Sequence, residues 1–348
     1  MQNGKPDSKL ITIAQAIQSK EKENMKLSIW EWNFERTCYR TPKFIVYSVT
    51  DTLKSPKEED LSHAKVIKIK KVASEDELYM TLEMARIRKE LVDKDNSYII
   101  YYEQDTFLYR NSGLYYAALY DDPDRHLYEW IVIDHQGLKM EMLYVYYILK
   151  DIIRALHYLE EKKLILTQLN YYNLFAGSIS EDRFNFIKLG FKGYQAKSLP
   201  DSSYDPNLIF PRDLFAPPET DGNNPYKSNL FQLGIVVLWC IHTNNSLPFD
   251  GRFYLNTLQN QEALFNAIET SAKSIEACPE GSVEEFADLM RQMLTYDVNK
   301  RPSPKDLIKH KYMIIMNQAD EECFKRQVEA NERAIQRDRE EKEKNQYF

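Results

Sequence analysis

Short runs of β-branched and aromatic residues dominate the chain from about residue 40 to 122, and they predict a β-rich unit around one helix. The runs read KFIVYSV, KVIKIKKV, SYIIYYE, TFLYRN and LYYAALY, and such residues are favoured in strands. Between the second and third runs, SEDELYMTLEMARIRKEL has apolar residues at helical spacing. This segment opens with Ser74 and Glu77, a capping-box pair, so we expect a helix to begin there.

After Asp122 the periodicity changes to that of helices. One stripe of a long amphipathic helix is formed by Val145, Leu149, Ile152, Leu156 and Leu159. The segment LFQLGIVVLWCIH is apolar on all sides and predicts a buried helix. Ser282 with Glu285, and Ser303 followed by Pro304, predict two later helix starts. A small β-rich unit followed by a larger helical unit is an α+β arrangement.

The end of the chain changes in composition. It reads EECFKRQVEANERAIQRDREEKEKNQYF, without Gly or Pro, and Phe324, Val328 and Ile335 form a narrow apolar seam. Two interpretations are open: a solvated helix that frays near its end, or a helix that docks on its own lobe or on a partner. We therefore divide the chain into an N-terminal extension (1–39), a main domain (40–316, with lobes at about 40–122 and 123–316) and a charged, coiled-coil-like helix (317–348).

Composition and charge exclude several classes of function. The net charge of −7 gives no general reason to bind nucleic acid. The four cysteines are scattered, without the spacing of a zinc site. The start MQNGKPDSKL lacks the apolar core of a signal peptide, and no apolar run approaches the roughly 20 residues that span a bilayer. We expect an intracellular, cytoplasmic protein without a membrane span.

Four motifs in the second half of the chain occur in a specific order. Residues 164–175 read LILTQLNYYNLF, and FNFIKL, FAPPE and KRPSP follow. This order resembles the larger lobe of eukaryotic protein kinases, with calcium/calmodulin-dependent-type serine/threonine kinases as the nearest group. The resemblance implies a two-lobed, kinase-like α+β fold over about residues 40 to 315. Against a kinase loop that would read roughly IIHRDLKPENIL, histidine becomes Leu166, the catalytic aspartate becomes Gln168, and Asn173 is retained.

Three parts of the kinase machinery are missing from the sequence. The hairpin that covers the phosphates corresponds to SVTDTLKSPKEEDLSH, which has carboxylates and no glycine, so its side chains would crowd and repel phosphates. Gln168 cannot act as a general base. The aspartate that holds Mg²⁺ is absent in either of two registers, with Gly190-Phe191-Lys192 in its place in one and Phe191-Lys192-Gly193 in the other.

Other positions of the kinase pattern are retained. Lys68 matches the strand lysine and Glu83 its partner on the following helix, although the lysine-rich run KVIKIKK is also compatible with a solvated strand edge. Asn173 is interpreted as a residue that braces the loop rather than a metal ligand. Glu219 in FAPPE and Arg301 in KRPSP are expected to form a buried ion pair, because leaving either one alone in the interior would be strongly destabilising.

Two further positions follow from the resemblance. Leu166 is expected to fill the slot of the kinase histidine in an apolar stack that links the lobes, with Ile87, Leu108 and Phe191 as the other members. The aspartate that begins the buried helix in kinases is Asn229 here.

Together, the retained scaffold and the missing chemistry predict a catalytically inactive kinase homologue, a pseudokinase. We expect a scaffold or an allosteric partner that acts through protein–protein interaction, without a catalytic residue, a cofactor or a bound metal. Its partner would be an active kinase or a large assembly. One alternative is a structural component of a large, for example cytoskeletal, assembly. The other is an enzyme with rewired nucleotide chemistry that uses Lys68, Glu83 and Asn173.

Overall fold

The strands of the first third of the chain form one antiparallel sheet with a helix beside it. The computed structural model describes residues 32–40, 44–51, 65–91, 99, 102–110, 113–121, 125–134, 140–166, 169–180, 183–190, 194–196, 217–219, 224–244 and 260–346. The strands are β1 (Trp32–Arg40), β2 (Phe44–Asp51), β3 (Lys65–Val72), β4 (Tyr102–Arg110) and β5 (Gly113–Asp121), in the order β1-β2-β3-β5-β4. Helix α1 spans Glu75–Leu91.

The start of α1 follows the predicted capping pattern with one change. The hydroxyl of Ser74 accepts a hydrogen bond from the backbone N–H of Glu77 at 3.2 Å. The carboxylate of Glu77 accepts from the N–H of Ala73 at 2.7 Å, one residue before the position that a capping box would use. Two backbone donors near the helix start are satisfied in this way.

The second part of the chain is mainly helical, with two small sheets. Its strands are β6 (Arg125–His126), β7 (Leu164–Leu166), β8 (Leu174–Ser180), β9 (Arg183–Leu189) and β10 (Tyr194–Ala196). Its helices are α2 (Leu127–Glu129, continued by a π-helical segment Trp130–Asp134), α3 (Met142–Glu161), α4 (Pro225–Asn244), α5 (Gln261–Ser274), α6 (Ser282–Met293), α7 (Pro304–Ile308) and α8 (Lys311–Gln346). Strands β6, β8 and β9 form one sheet, and β7 pairs with β10. The predicted two-lobed α+β architecture is confirmed.

The largest hydrophobic core lies in the helical lobe and is built on α3 and α4. The predicted stripe of α3 is buried, and the apolar segment of α4 is buried on nearly all sides. Gly234 of α4 allows a close approach, because a Cβ there would lie 2.8 Å from the Leu294 side chain. Ser303 caps α7 in a capping box with Asp306, whereas α6 begins after Gly281, which adopts a left-handed conformation with φ 74°.

Helix α8 docks with its first turns and is exposed beyond them. The phenolic hydroxyl of Tyr147 on α3 donates to the carboxylate of Asp320 at 2.6 Å, and that of Tyr146 donates to the Asn317 side chain at 3.1 Å. Past this contact Phe324 and Ile335 are 69% and 55% exposed. The helix therefore docks on its own lobe near its start, while its apolar seam lies in solvent.

The domain boundaries at 39/40 and 316/317 stay predictions. Strand β1 pairs with β2 from Trp32 onward, and α8 runs without interruption through residue 316. Within the described part of the chain, no helix has both the length and the apolar character needed to cross a membrane.

Candidate functional site

The loop between β7 and β8 is anchored in the core of the larger lobe. Leu166 ends β7, is fully buried and belongs to the same hydrophobic cluster as Ile87 of α1. Leu108 packs instead with a small cluster on the other side of the sheet that contains Ile67 and Leu119, so it is not a member of this group. Phe191, Gln168 and residues 52–63 of the hairpin expected to cover phosphates lie outside the described residues.

Asn229 fixes the position of this loop from the start of α4. Its side-chain amide donates to the carbonyl of Leu166 at 2.8 Å and to the side-chain oxygen of Gln232 at 2.8 Å. Both Asn229 and Gln232 are buried. A carboxylate has no hydrogen to donate, so the aspartate that kinases have here could make neither bond. The sequence identified the substitution, but only the structure gives its consequence.

Asn173 and Gly190 face each other where β8 and β9 begin to pair. Leu174 pairs with Leu189, and the N–H of Gly190 donates to the carbonyl of Asn173 at 2.8 Å. Asn173 is 3% exposed. This pairing favours the register in which Gly190 takes the place of the kinase aspartate.

No side chain fits at Gly190 without displacing its neighbours. A Cβ there would lie 2.5 Å from the Cε2 atom of Phe175 and 2.6 Å from the Oδ1 atom of Asn173, below the 3.0 Å that real Cβ contacts respect. A carboxylate opposite Asn173 would therefore require Phe175 and Asn173 to move. The described residues here do not fit a bound Mg²⁺, because hard cations need several oxygen ligands and the amide of Asn173 faces a glycine.

A small cavity lies beside β3 among the described residues. Lys68 of β3 pairs in register with Ala118 of β5, and Val66 with Tyr120. A cavity of about 110 Å³ lies between β3, β5 and α1, whereas pockets for organic ligands usually measure about 300–1,000 Å³. Lys68 lines this cavity. The side chain of its expected partner Glu83 lies outside the described residues, so the Lys68–Glu83 ion pair stays a prediction.

Glu219 and Arg301 meet inside the larger lobe. The Arg301 guanidinium donates to both carboxylate oxygens of Glu219, at 2.7 and 2.6 Å, and also to the carbonyls of Thr295, Tyr296 and Lys227. The arginine side chain is 0% exposed and the glutamate 7%. Such a bidentate, fully bonded pair is the geometry in which two buried charges stabilise each other.

Two buried carboxylates were not identified from the sequence. Asp105 of β4 is fully buried and accepts a hydrogen bond from the Tyr116 hydroxyl at 2.6 Å. Asp151 of α3 accepts from the backbone N–H of Ile187 on β9 at 2.9 Å. Burial raises the pKa of Asp151 to about 6. Its signal in the sequence was an acidic residue within the apolar run DIIRAL.

A group of potential metal ligands lies on the surface of the larger lobe, far along the chain from this loop. Glu285, Asp288 and His310 bring their side-chain atoms close together. His310 contacts Asp288 at 3.0 Å through Nε2 and accepts from the Tyr312 N–H at 3.2 Å through Nδ1. Lys311 donates to Glu285. The imidazole and both carboxylates therefore already have protein partners, and the group forms a polar network on the surface.

The fold and the retained positions agree with comparisons to known proteins. A family model described as protein tyrosine and serine/threonine kinase matches residues 57–310, which is more than half of the chain. The chain belongs to the protein kinase family. No curated protein matches its sequence.

A solved structure supports the kinase fold independently of sequence. The crystal structure of the kinase domain of PF14_0431 superposes with a TM-score of 0.56 and covers 81% of this chain and 95% of that domain. Its sequence identity to this kinase-family chain is 17%, which is too low to carry over more than the fold.

Proposed function

We propose that this member of the kinase family is a pseudokinase that acts through protein–protein interaction rather than phosphoryl transfer. The observation that carries the proposal is the packing around Gly190. Phosphoryl transfer needs a metal that bridges the phosphates, and in kinases an aspartate and an asparagine hold it. Here Asn173 faces a glycine, and Phe175 and Asn173 fill the space in which a carboxylate would stand.

Two independent features support the same conclusion. Gln168 stands where kinases have their catalytic base, and an amide neither accepts a proton near neutral pH nor carries a negative charge. The cavity of about 110 Å³ beside Lys68 holds on the order of three or four water molecules. A nucleotide needs several times the volume of this cavity, which described residues of β3, β5 and α1 line. From the motifs of the larger lobe, we also propose that its nearest active group is that of the calcium/calmodulin-dependent-type serine/threonine kinases.

The exposed half of α8 is the surface that supports a partner-binding role. Its charged faces carry ion pairs one turn apart, Arg326 with Glu322 and Arg333 with Glu329. These pairs stabilise an exposed helix by a few tenths of a kcal/mol each. A helix that persists in solvent with an apolar seam is suited to a scaffold or an allosteric partner of an active kinase.

Nucleotide binding tests the first half of the proposal. We expect no thermal stabilisation of the full chain by ATP, with or without Mg²⁺, and no radiolabel transfer to a general substrate. Lys68→Ala is the diagnostic variant, and Lys71→Ala is its control, because Lys71 is an exposed lysine on the same strand. Mg²⁺-dependent stabilisation that is lost in Lys68→Ala and kept in Lys71→Ala would refute the proposal.

The second half is tested by affinity purification from the native source with mass spectrometry. The bait is compared with a form truncated after residue 323, which keeps the contacts of Asn317 and Asp320 with α3. We expect co-purifying proteins to be lost on truncation and on replacing Phe324, Val328 and Ile335 by Ser. Replacing Glu329 and Arg333 by Ser changes another face of α8 and serves as the control. An unchanged set of proteins would exclude α8 as the binding surface.

A further inference from the structure

Phe175 belongs to the larger lobe by its strand and to the small lobe by its packing. It lies on β8, which pairs with β6 and β9. Its side chain is nevertheless part of the hydrophobic core of the small lobe, whose other members all lie between residues 66 and 120 and include Val66, Ala118 and Tyr120. Phe175 is 6% exposed. Its ring therefore crosses the boundary between the lobes.

The same ring reaches the position at which the metal ligand is missing. Its Cε2 atom would lie 2.5 Å from a Cβ on Gly190. The kinase resemblance implies that the residue two positions before the strand lysine faces the adenine base. Val66 holds this position before Lys68, and it shares a cluster with Phe175. One aromatic side chain thus fills space next to both the base position and the metal position.

The lobes also interlock in the opposite direction. Ile87 and Leu91, at the end of α1, and Ile99 belong to the core of the larger lobe. Each lobe therefore places large apolar side chains in the core of the other. Opening the cleft would return these side chains to water, which is unfavourable in proportion to the apolar area exposed.

We propose that Phe175 is an internal plug, which closes the cleft between the lobes and couples them into one cooperative unit. The occupant of the cleft is a side chain of the chain itself, so the closed arrangement needs no ligand. The inference goes beyond the loss of catalysis. A kinase fold without activity could still open and close, and this one is held shut.

Hydrogen–deuterium exchange with mass spectrometry of the full chain tests the plug. In Phe175→Val, amides of β3 and β5 are expected to exchange about tenfold or more faster than in the wild type, because the small lobe loses its contact with β8. Phe186→Val is the matched control. Phe186 lies on the neighbouring strand, packs on Gly177 and is not part of the small-lobe core, so faster exchange should stay within β8 and β9.

Two results would overturn the proposal. One is faster exchange in Phe175→Val that is confined to β8 and β9, as in the control. The other is saturable binding of adenosine to the wild type, since a planar base would then find the cleft open. Neither depends on phosphotransfer, so the non-catalytic role and the plug can fail separately.

If Phe175→Val does not fold, exchange of the wild type at increasing urea concentrations decides the question. Coupled lobes predict that β3, β5 and β8 share one opening reaction with the same urea dependence. A separate opening of β3 and β5 at lower urea concentration, with β8 still protected, would show that the lobes part independently, and the plug would be wrong.

Discussion

Replacing Asp151 by Asn should stabilise the protein at neutral pH and should do so increasingly as the pH rises. Burial is the main cause that raises the pKa of Asp151 from 3.8 to about 6. The charges of Lys150 and Arg154 and the hydrogen bond from the N–H of Ile187 oppose this rise, and the charge of Asp320 adds to it. The folded protein therefore binds the Asp151 proton more tightly than the unfolded chain does.

The sign and size of the effect follow from linkage. With a raised pKa, the contribution of Asp151 to stability is fully present below about pH 3.8 and is lost as the pH rises through about 6. The difference of about two pKa units corresponds to about 3 kcal/mol. Asn does not titrate, and its side-chain oxygen can still accept the 2.9 Å bond from Ile187. The variant therefore avoids the cost of burying a charge at neutral pH.

The assay is urea unfolding of wild type and Asp151→Asn between pH 4 and 7.5, followed by circular dichroism. The difference in unfolding free energy, variant minus wild type, should rise by about 2.5 kcal/mol over this range. Any pH-independent effect of the amide cancels in this slope. Asp297→Asn, at an exposed aspartate of the same lobe, controls for the loss of one carboxylate. A flat difference curve for Asp151→Asn would refute the reasoning.

Three other substitutions probe the site and its supports. Asn229→Asp should lower the unfolding free energy by about 2–4 kcal/mol, because it removes both donated bonds. Asn224→Asp should be nearly neutral, since Asn224 only accepts, from the N–H of Lys227; equal losses in the two thermal melts would count against a donor role. Arg301→Lys should lower the unfolding free energy by about 3 kcal/mol or more, because lysine cannot form the bidentate pair with Glu219. Arg326→Lys, in an exposed pair, should lower it by less than about 0.5 kcal/mol. Chemical denaturation of both variants measures the difference, and similar values would contradict the buried geometry. Gly190→Ala should cost about 1–3 kcal/mol by overpacking against Phe175 and Asn173; a variant as stable as wild type in a urea titration would show that the space around Gly190 is not closed.

The parts of the fold that the sequence predicted are those with a strong local signal. The stripe of α3 and the apolar α4 each satisfy a helical period over many residues, and the β-branched runs became strands. Ser303 and Pro304 marked the start of α7 by local capping chemistry. SYIIYYE and TFLYRN were less well predicted as two separate runs, since the single strand β4 (Tyr102–Arg110) contains the end of the first and most of the second. Local patterns do not determine where pairing in a sheet begins and ends.

The candidate site was predictable as a list of substitutions and not as a packed arrangement. In the sequence, Gly190 shows only that the carboxylate is missing. That the space around Gly190 is filled depends on Phe175, which lies fifteen positions earlier on the paired strand. Asn229 contacts a carbonyl 63 positions away, so its role as a donor had no local signal. Leu108 was misplaced because the alternation of a strand gives two faces without saying which one meets the other lobe.

The continuity of α8 fixes the direction as well as the distance of its exposed seam. From Asp320, which is bonded to Tyr147 of α3, to Ile335 the helix rises about 22 Å. Each residue also turns the helix by about 100°. The seam therefore faces one fixed direction relative to the lobe. An insertion of a single residue after Asp320 would turn the seam by about a quarter of a circle, while seven residues would move it outward by about 10 Å and nearly restore its bearing. The length of the helix thus sets how far the seam stands from the lobe, and its rotation sets the direction in which the seam faces a binding partner.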